Sequence, residues 1–166
     1  MLIKNIALGL VFLACGGAGA YYSRAMVLRV RELEAVLQML GSFRAQLRFS
    51  RPTLERMLRE VCAGQPPAFL PHALRRMQTG MAFPAAWREA VTQRSPALRQ
   101  EDRTRLLACA ELLGASDASG QSEALLLQES LLQAQLEQAR MKRDTRGKAF
   151  FTLGILVGLT VMILFL

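Results

Sequence analysis

The residue types that most often carry enzymatic chemistry are scarce in this chain of 166 residues. It has one histidine, His72, and three cysteines, Cys15, Cys62 and Cys109, which are far apart and form no Cys-x-x-Cys pair. A metal site or a base with its partner needs several such groups at defined spacings, and no cysteine or carboxylate lies three or four residues from His72. No catalytic and no metal-binding residues are therefore predicted, and the cysteines are interpreted as buried apolar side chains in a reducing compartment.

Signals for nucleotide binding and for β-structure are absent as well. No Gly-x-x-x-x-Gly-Lys-Ser/Thr segment is present, so a phosphate-binding loop of the usual kind is excluded. No run alternates apolar and polar residues, and no Asn-Gly or Asp-Gly pair indicates a hairpin. These absences predict an all-α protein that is not an enzyme, with no cofactor and no small-molecule substrate.

What the chain does contain is an apolar segment at each end. Ala149 to Leu166 carries no charge, and Ile6 to Tyr22 follows Lys4 with an apolar run richer in glycine and alanine. About 20 apolar residues span a bilayer as a helix, which satisfies its own backbone groups in lipid. We predict transmembrane helices at 1–22 and 149–166 and a soluble domain at 23–148. Gly154 and Gly158 share one helix face, where a second helix could approach closely, although glycine is common in membrane helices generally.

Positive charge lies next to both apolar segments, on the side of the middle domain. The net charge is +8, and residues 23–148 hold 20 of the 21 basic and all 13 acidic side chains. The flanking basic residues are Arg24, Arg29, Arg31, Arg140, Lys142, Arg143, Arg146 and Lys148. Because such residues are retained in the cytoplasm, the middle domain is expected inside the cell and in contact with anionic lipid headgroups. Nucleic acid is not expected as a partner, although a pI near 10.4 leaves a membrane-tethered nucleic-acid-binding or regulatory domain as an alternative.

The N-terminal segment has a second interpretation, a cleaved secretion signal. Lys4, the apolar run and the small residues 17–20 resemble such a signal. Cleavage would give an exported domain held only by a C-terminal membrane anchor. Arg24 and the arginines after it argue against export, because positive charge at that position hinders it.

The middle domain shows helical spacing of its apolar residues. Val30, Leu33, Leu37 and Leu40 form a stripe on a first helix that continues from the N-terminal segment and closes at 50–52. Short helices are predicted at Thr53–Val61, at Ala68–Gln78 with an interruption near Pro71, from Phe83–Pro84 onward, and at Gln100–Leu113. A last helix runs from Gln121 through the basic cluster into the C-terminal segment. The apolar positions expected to face the core in these helices are Leu54, Met57, Leu58, Val61, Trp87, Ala90, Val91, Leu106, Cys109, Ala110, Leu113, Leu125, Leu132, Leu136 and Ala139. We expect the two long helices to pack against each other and to carry the short ones, as a small antiparallel bundle.

A resemblance spans nearly the whole chain. Its matching features are the N-terminal segment, Arg31-Glu32-Leu33, Pro52, Ala86-Trp87, the Leu113-Gly114 turn with Asp117 and Gln121, and the leucine-rich last helix before the terminal segment. In order and spacing these features resemble the stage III sporulation protein AB family. That family is similar to the inner-membrane platform proteins of type II secretion and type IV pilus machines.

The resemblance implies a membrane component of the export channel between mother cell and forespore. Its helical domain would face a secretion-type ATPase in the mother-cell cytoplasm, and its spans would contact other sporulation channel membrane proteins. We expect a scaffold that passes ATPase motions to the membrane through its two long helices, with Arg75, Arg76 and Arg88 as candidate contact residues. A homo-oligomer is left open.

Overall fold

The computed structural model describes residues 2–49, 53–114 and 118–147, together with 152, 153, 156, 159, 160 and 163. Side chains are described from residue 17 onward, except at 49, 114, 118–122, 146 and 147. Throughout these residues the elements are helical and no strand is present, which confirms the all-α prediction. The helices are α1 (Leu2–Phe49), α2 (Leu54–Cys62), α3 (Leu70–Gln78), α4 (Phe83–Arg94), α5 (Gln100–Gly114) and α6 (Ala118–Lys142), and a π-helical segment (Arg143–Gly147) follows.

The chain divides into two compact units. The first, here called the bundle, is Val30–Glu137, and the second, here called the end unit, consists of Met1–Arg29 and Gln138–Leu166. The end unit contains both apolar segments of the sequence. Among the residues that the structure describes, we find no helix with the length and apolar character that membrane crossing requires. The predicted span 149–166 lies largely outside the described residues, as do the side chains of residues 1–16 in the predicted span 1–22.

Helix α1 is a single helix of 48 residues, as predicted from the absence of a breaking residue. It continues through Gly41. A glycine lowers helix stability by about 1 kcal/mol relative to alanine, and this is too little to end a helix that is stabilised by a buried apolar stripe. On the predicted stripe, Val30, Leu33 and Leu40 are fully buried, and Leu37 is half-buried.

The C-terminal long helix differs from the prediction. An uninterrupted α-helix was expected to continue past the basic cluster, but α6 ends at Lys142 and the next five residues are π-helical. Asp144, Thr145 and Gly147 are all poor helix formers, so the α-helical pattern is weakest at this point. Arg143 Nε also donates a hydrogen bond to Asp144 Oδ1 over 2.8 Å.

The short helices begin and end where local chemistry dictates. Pro71 lies in the first turn of α3, where its missing N–H costs nothing, so the interruption predicted within this helix was wrong. At its other end, Gly80 adopts φ +90°, its N–H bonds the Met77 carbonyl, and the Met81 N–H bonds the Arg76 carbonyl. This is a Schellman motif, which needs a residue that tolerates left-handed backbone.

Trp87 lies at the centre of the bundle core. It is completely buried, its ring packs edge-on against Phe69 at 5.1 Å, and it lies 5.4 Å from Phe83. Its Nε1–H donates to the Leu106 carbonyl of α5 over 2.8 Å, which satisfies the one polar group of the indole. Most of the other helix positions expected to be buried after α1 are buried too: Met57, Leu58, Ala90, Val91, Leu106, Cys109, Ala110, Leu113, Leu125, Leu132, Leu136 and Ala139. Leu54 and Val61, on the predicted apolar face of α2, are only half-buried.

Within the bundle the two long helices pack against each other, as predicted. Arg44 Nε on α1 lies 3.4 Å from Glu129 Oε2 on α6. Gly41 lies beside the same carboxylate, because a Cβ built there would be 3.9 Å from Glu129 Oε1. The ion pair is partly exposed, so it contributes at most about 1 kcal/mol, and apolar burial dominates this contact.

Candidate interaction surfaces

A carboxylate on α4 joins two side chains of α3. Glu89 Oε1 lies 2.7 Å from an Arg76 guanidinium nitrogen and 3.5 Å from His72 Nε2. The hydrogen bond from Arg76 lowers the pKa of Glu89, and His72 acts in the same direction. Glu89 is thus engaged as an anion by Arg76 and is poorly suited to accept a proton from a substrate. The cluster joins two helices, which agrees with the structural role predicted for His72.

The arginines predicted as contact residues separate into two kinds. Arg76 is held by Glu89, whereas Arg75 and Arg88 are exposed. Exposed Arg94 and Arg99 follow in the same part of the chain. Between residues 63 and 99 there are five arginines and a single acidic residue, so this part of the bundle is locally basic. Arg75 and Arg88 remain the candidates for contact with an acidic partner surface.

A buried carboxylate at the start of α5 has a structural role. Asp102 is fully buried, and its Oδ2 accepts a 2.9 Å hydrogen bond from the Arg99 N–H, as the third residue of a helix does in a capping box. The Gln135 side-chain amide from α6 lies between Asp102 and Arg105, and its neighbours require the orientation in which its nitrogen donates to Asp102 Oδ1 over 3.0 Å and its oxygen accepts from Arg105 Nε over 3.0 Å. These bonds fix α5 against α6, and they give the carboxylate of Asp102 a structural role.

A second carboxylate connects α1 to the segment before α3. Glu32 Oε1 accepts a 2.8 Å hydrogen bond from the Ala68 N–H. Burial raises the pKa of Glu32, and the hydrogen bond from Ala68 opposes this rise. Ala68 precedes α3 by two residues, so this bond fixes the position of the proline-rich connector on α1.

The described cysteines are not activated as nucleophiles. Cys109 is fully buried, and burial raises the pKa of its thiol to about 12. Cys62 is half-buried, and desolvation raises its thiol pKa as well. Thiolate is the reactive form, so burial makes both thiols less reactive at neutral pH than an exposed cysteine. The side chain of Cys15 lies outside the described residues, and among those described no three histidine, cysteine or carboxylate side chains cluster as metal ligands.

The net positive charge is concentrated in the end unit. The bundle carries 13 basic and 12 acidic residues, a net charge of +1. The end unit carries eight basic residues and one acidic residue, Asp144, a net charge of +7. The excess of basic over acidic residues therefore lies mainly in the unit that contains the apolar segments, which agrees with the basic flanks noted in the sequence.

Exposed apolar side chains occur on both units. In the end unit, Tyr21 is 73% exposed and Tyr22 58%, with their rings edge-to-face at 6.3 Å. On the bundle, Leu126 and Leu127 of α6 are about half exposed beside the buried stripe of that helix. Side chains of this size on a surface are candidates for contact with a partner or with lipid.

Three residues named in the sequence analysis, Gly154, Gly158 and Asp117, lie outside the described residues. Leu113 is buried at the end of α5, and Gly114 is the last residue of that helix, one position later than expected. The carboxylate of Glu89 beside His72 was missed, because the two residues are 17 positions apart and meet only through the packing of α3 on α4.

These features together define a class: an α-helical bundle protein with exposed basic and apolar side chains and, in its described part, no assembled catalytic or metal-binding cluster. A solved structure titled "Stage III sporulation protein AB" is similar in fold, with a TM-score of 0.63, 18% sequence identity, and coverage of 71% of this chain and 98% of the solved one. The sequence model of the family described as Stage III sporulation protein AB matches residues 4–166. The chain belongs to the stage III sporulation protein AB family. The search of curated proteins found no match.

Proposed function

We propose that this protein is a non-enzymatic platform component of the sporulation export channel between mother cell and forespore. The observation that carries the proposal is family membership over residues 4–166, joined to a bundle in which the carboxylates of Asp102 and Glu89 are engaged in bonds that join helices or cap them. A scaffold needs stable helix packing and exposed contact side chains, and the bundle has both. No step of chemistry is assigned to any residue.

The proposed location is the mother-cell membrane, with the bundle on the cytoplasmic side. Support comes from the two apolar segments of the sequence and from the +7 charge of the unit that contains them. Basic residues flanking a span are retained in the cytoplasm. An exported domain with a C-terminal anchor is the competing arrangement. Mass spectrometry of the membrane-purified chain decides between the two, because cleavage would leave a mature N-terminus near Ala20.

The proposed partner of the bundle is a secretion-type ATPase, and the proposed role is to couple its motions to membrane partners. Arg75 and Arg88 are exposed on packed helices and would meet acidic residues of the ATPase, whereas Arg76 is engaged by Glu89. Helix α1 provides a continuous connection toward the N-terminal segment. Flexible glycines inserted near Lys148 should abolish sporulation without abolishing membrane insertion. Normal sporulation in that strain would contradict coupling.

The contact prediction has a matched test. The double variant Arg75→Glu/Arg88→Glu should reduce co-purification of the ATPase and lower the yield of spores. Arg56→Glu/Arg59→Glu on α2 changes the net charge equally and alters only exposed side chains paired within one helix, so it is the control. If the two variants recover the ATPase equally, the arginines of α3 and α4 are not part of the interface.

The alternative, a nucleic-acid-binding domain, receives little support from the charge distribution. Specific DNA binders present a basic face that neutralises several phosphates, whereas the bundle has a net charge of +1. Salt-dependent binding of DNA by the purified protein, lost in the Arg75→Glu/Arg88→Glu variant, would revive this alternative.

A further inference from the structure

The end unit combines positive charge with exposed aromatic rings in one short layer of the molecule. The end unit has eight basic residues and a single acidic one, Asp144, whose carboxylate already accepts a hydrogen bond from Arg143; seven of the eight basic residues lie between the apolar segments in the sequence. Arg24 is exposed and Lys142 is half-buried, so both ammonium and guanidinium groups are accessible at its surface. Such a concentration of one sign of charge repels itself unless an anionic surface lies against it.

The tyrosines lie at the boundary between the apolar and the basic part. Tyr21 and Tyr22 end the N-terminal apolar run and are exposed, and Arg24 follows about 3 Å further along the helix axis. The headgroup layer on one side of a bilayer is about 5–8 Å thick, so rings and guanidinium group fit within it together. Exposed tyrosine is characteristic of this layer, because its ring is apolar and its hydroxyl is hydrated.

The C-terminal half of the end unit repeats the arrangement. Lys142, Arg143 and Arg146 precede the uncharged segment that starts at Ala149, and Lys142 is seven residues before it in the sequence. The π-helical segment falls within this stretch, and π-helical turns are frequent at functional sites. The sequence is therefore basic both directly after the N-terminal apolar segment and directly before the C-terminal one.

We propose that the end unit binds anionic phospholipid headgroups, with Arg24 and Lys142 contacting lipid phosphates and with Tyr21 and Tyr22 packed at the interface. This inference rests on the membrane placement proposed above and adds a choice of lipid to it. The occupant is the headgroup layer of an anionic bilayer, chosen because the charge is complementary and the exposed apolar side chains need a partly apolar neighbour. Each basic residue near such a surface changes binding about five-fold.

The test uses the full-length chain in vesicles of phosphatidylcholine and phosphatidylglycerol at 3:1 and 0.15 M salt. The protein is extracted in mild detergent, and the two lipids that remain bound are quantified by mass spectrometry. In the bound lipid, we expect the ratio of phosphatidylglycerol to phosphatidylcholine to be at least five-fold higher than the 1:3 ratio of the vesicle. Arg24→Gln/Lys142→Gln should return that ratio to about the vesicle's own, and Arg75→Gln/Arg88→Gln on the bundle, with the same change of charge, should leave it raised.

The outcomes separate this inference from the proposed function. A protein that floats with the vesicles but carries both lipids in the vesicle's proportion overturns the lipid inference and leaves membrane placement intact. A protein that does not float with vesicles contradicts both. Equal loss of enrichment in the two double variants would show that total charge, and not this layer, selects the lipid. Displacement of phosphatidylglycerol by inorganic phosphate in ten-fold excess would assign the site to a soluble anion and overturn the inference.

Discussion

Replacing Trp87 tests whether the bundle is held together where α4 meets α5. The Nε1–H of Trp87 donates to the Leu106 carbonyl over 2.8 Å, and the ring fills the space between Phe69 and Phe83. In Trp87→Phe the hydrogen bond is lost, at about 0.5–1.5 kcal/mol, and the missing ring leaves a cavity of comparable cost. We expect about 2–3 kcal/mol of destabilisation, and about 3–5 kcal/mol for Trp87→Ala. Domains are stable by only about 5–15 kcal/mol, so both effects are large.

The assay has two independent readouts on the full-length protein in mild detergent. Urea unfolding followed by circular dichroism at 222 nm gives the change in free energy. Maleimide labelling of Cys109, in a background where the other two cysteines are serine, reports opening of α5, because this thiol is buried with a pKa of about 12. A loss of 2 kcal/mol should raise the labelling rate about 30-fold when opening is fast and reversible.

The control for this experiment is the neighbouring exposed residue. Arg88→Ala should shift the free energy of unfolding by no more than about 0.5 kcal/mol, since it leaves the core intact. If Trp87→Phe matches Arg88→Ala in both the urea midpoint and the Cys109 labelling rate, the Trp87–Leu106 bond does not stabilise the bundle and the reasoning is refuted.

Three further predictions concern stability by the same urea assay. Gly41→Ala should add about 0.5–1 kcal/mol, because the new Cβ meets Glu129 only at ordinary contact distance; a lower midpoint would show that α1 and α6 pack more closely there. The raised pKa of Glu32 means that its ionisation opposes folding above about pH 4.5. The variant Glu32→Gln keeps an oxygen that can accept the hydrogen bond from the Ala68 N–H. It should be at least as stable as the wild type at pH 7, and it should lose that advantage by pH 3.5, where the wild-type carboxyl is protonated. Glu89 has a lowered pKa, so its stabilisation is present above about pH 4.5 and fades as the pH falls through the lowered value; Glu89→Gln should destabilise at pH 7 and should converge with the wild type in acid, and a constant difference at both pH values would contradict the ion pair with Arg76.

The features that could be predicted from the sequence are those set by local periodicity. The 3.6-residue spacing of apolar side chains located all six α-helices and most of the core, including Trp87 and Cys109. Proline placed the start of α4 and glycine the end of α3, because each restricts the backbone of its own position. Pro71 was misread, since a proline in a first turn and a proline that breaks a helix look alike until the start of the helix is known.

The features that escaped prediction depend on tertiary packing. Glu89 and His72 meet only because α3 packs on α4, and Gln135 reaches Asp102 only because α6 lies beside α5. The division of charge between bundle and end unit required the boundary at residues 29–30 and 137–138, which no composition shift marks. The π-helical segment arises from a balance of several weak helix formers, which propensity alone cannot resolve.

The single tryptophan of the chain is buried inside the bundle, so its fluorescence would report how the bundle responds if a partner acts on it as proposed above. If a partner displaces the bundle as one piece, the indole stays dry and its emission stays blue while the partner works. If instead the load pries α4 from α5, water reaches the ring and the emission moves to longer wavelength. The wavelength of the Trp87 emission maximum, recorded during nucleotide turnover by the proposed partner, would therefore distinguish movement of the bundle as a rigid body from deformation of the bundle.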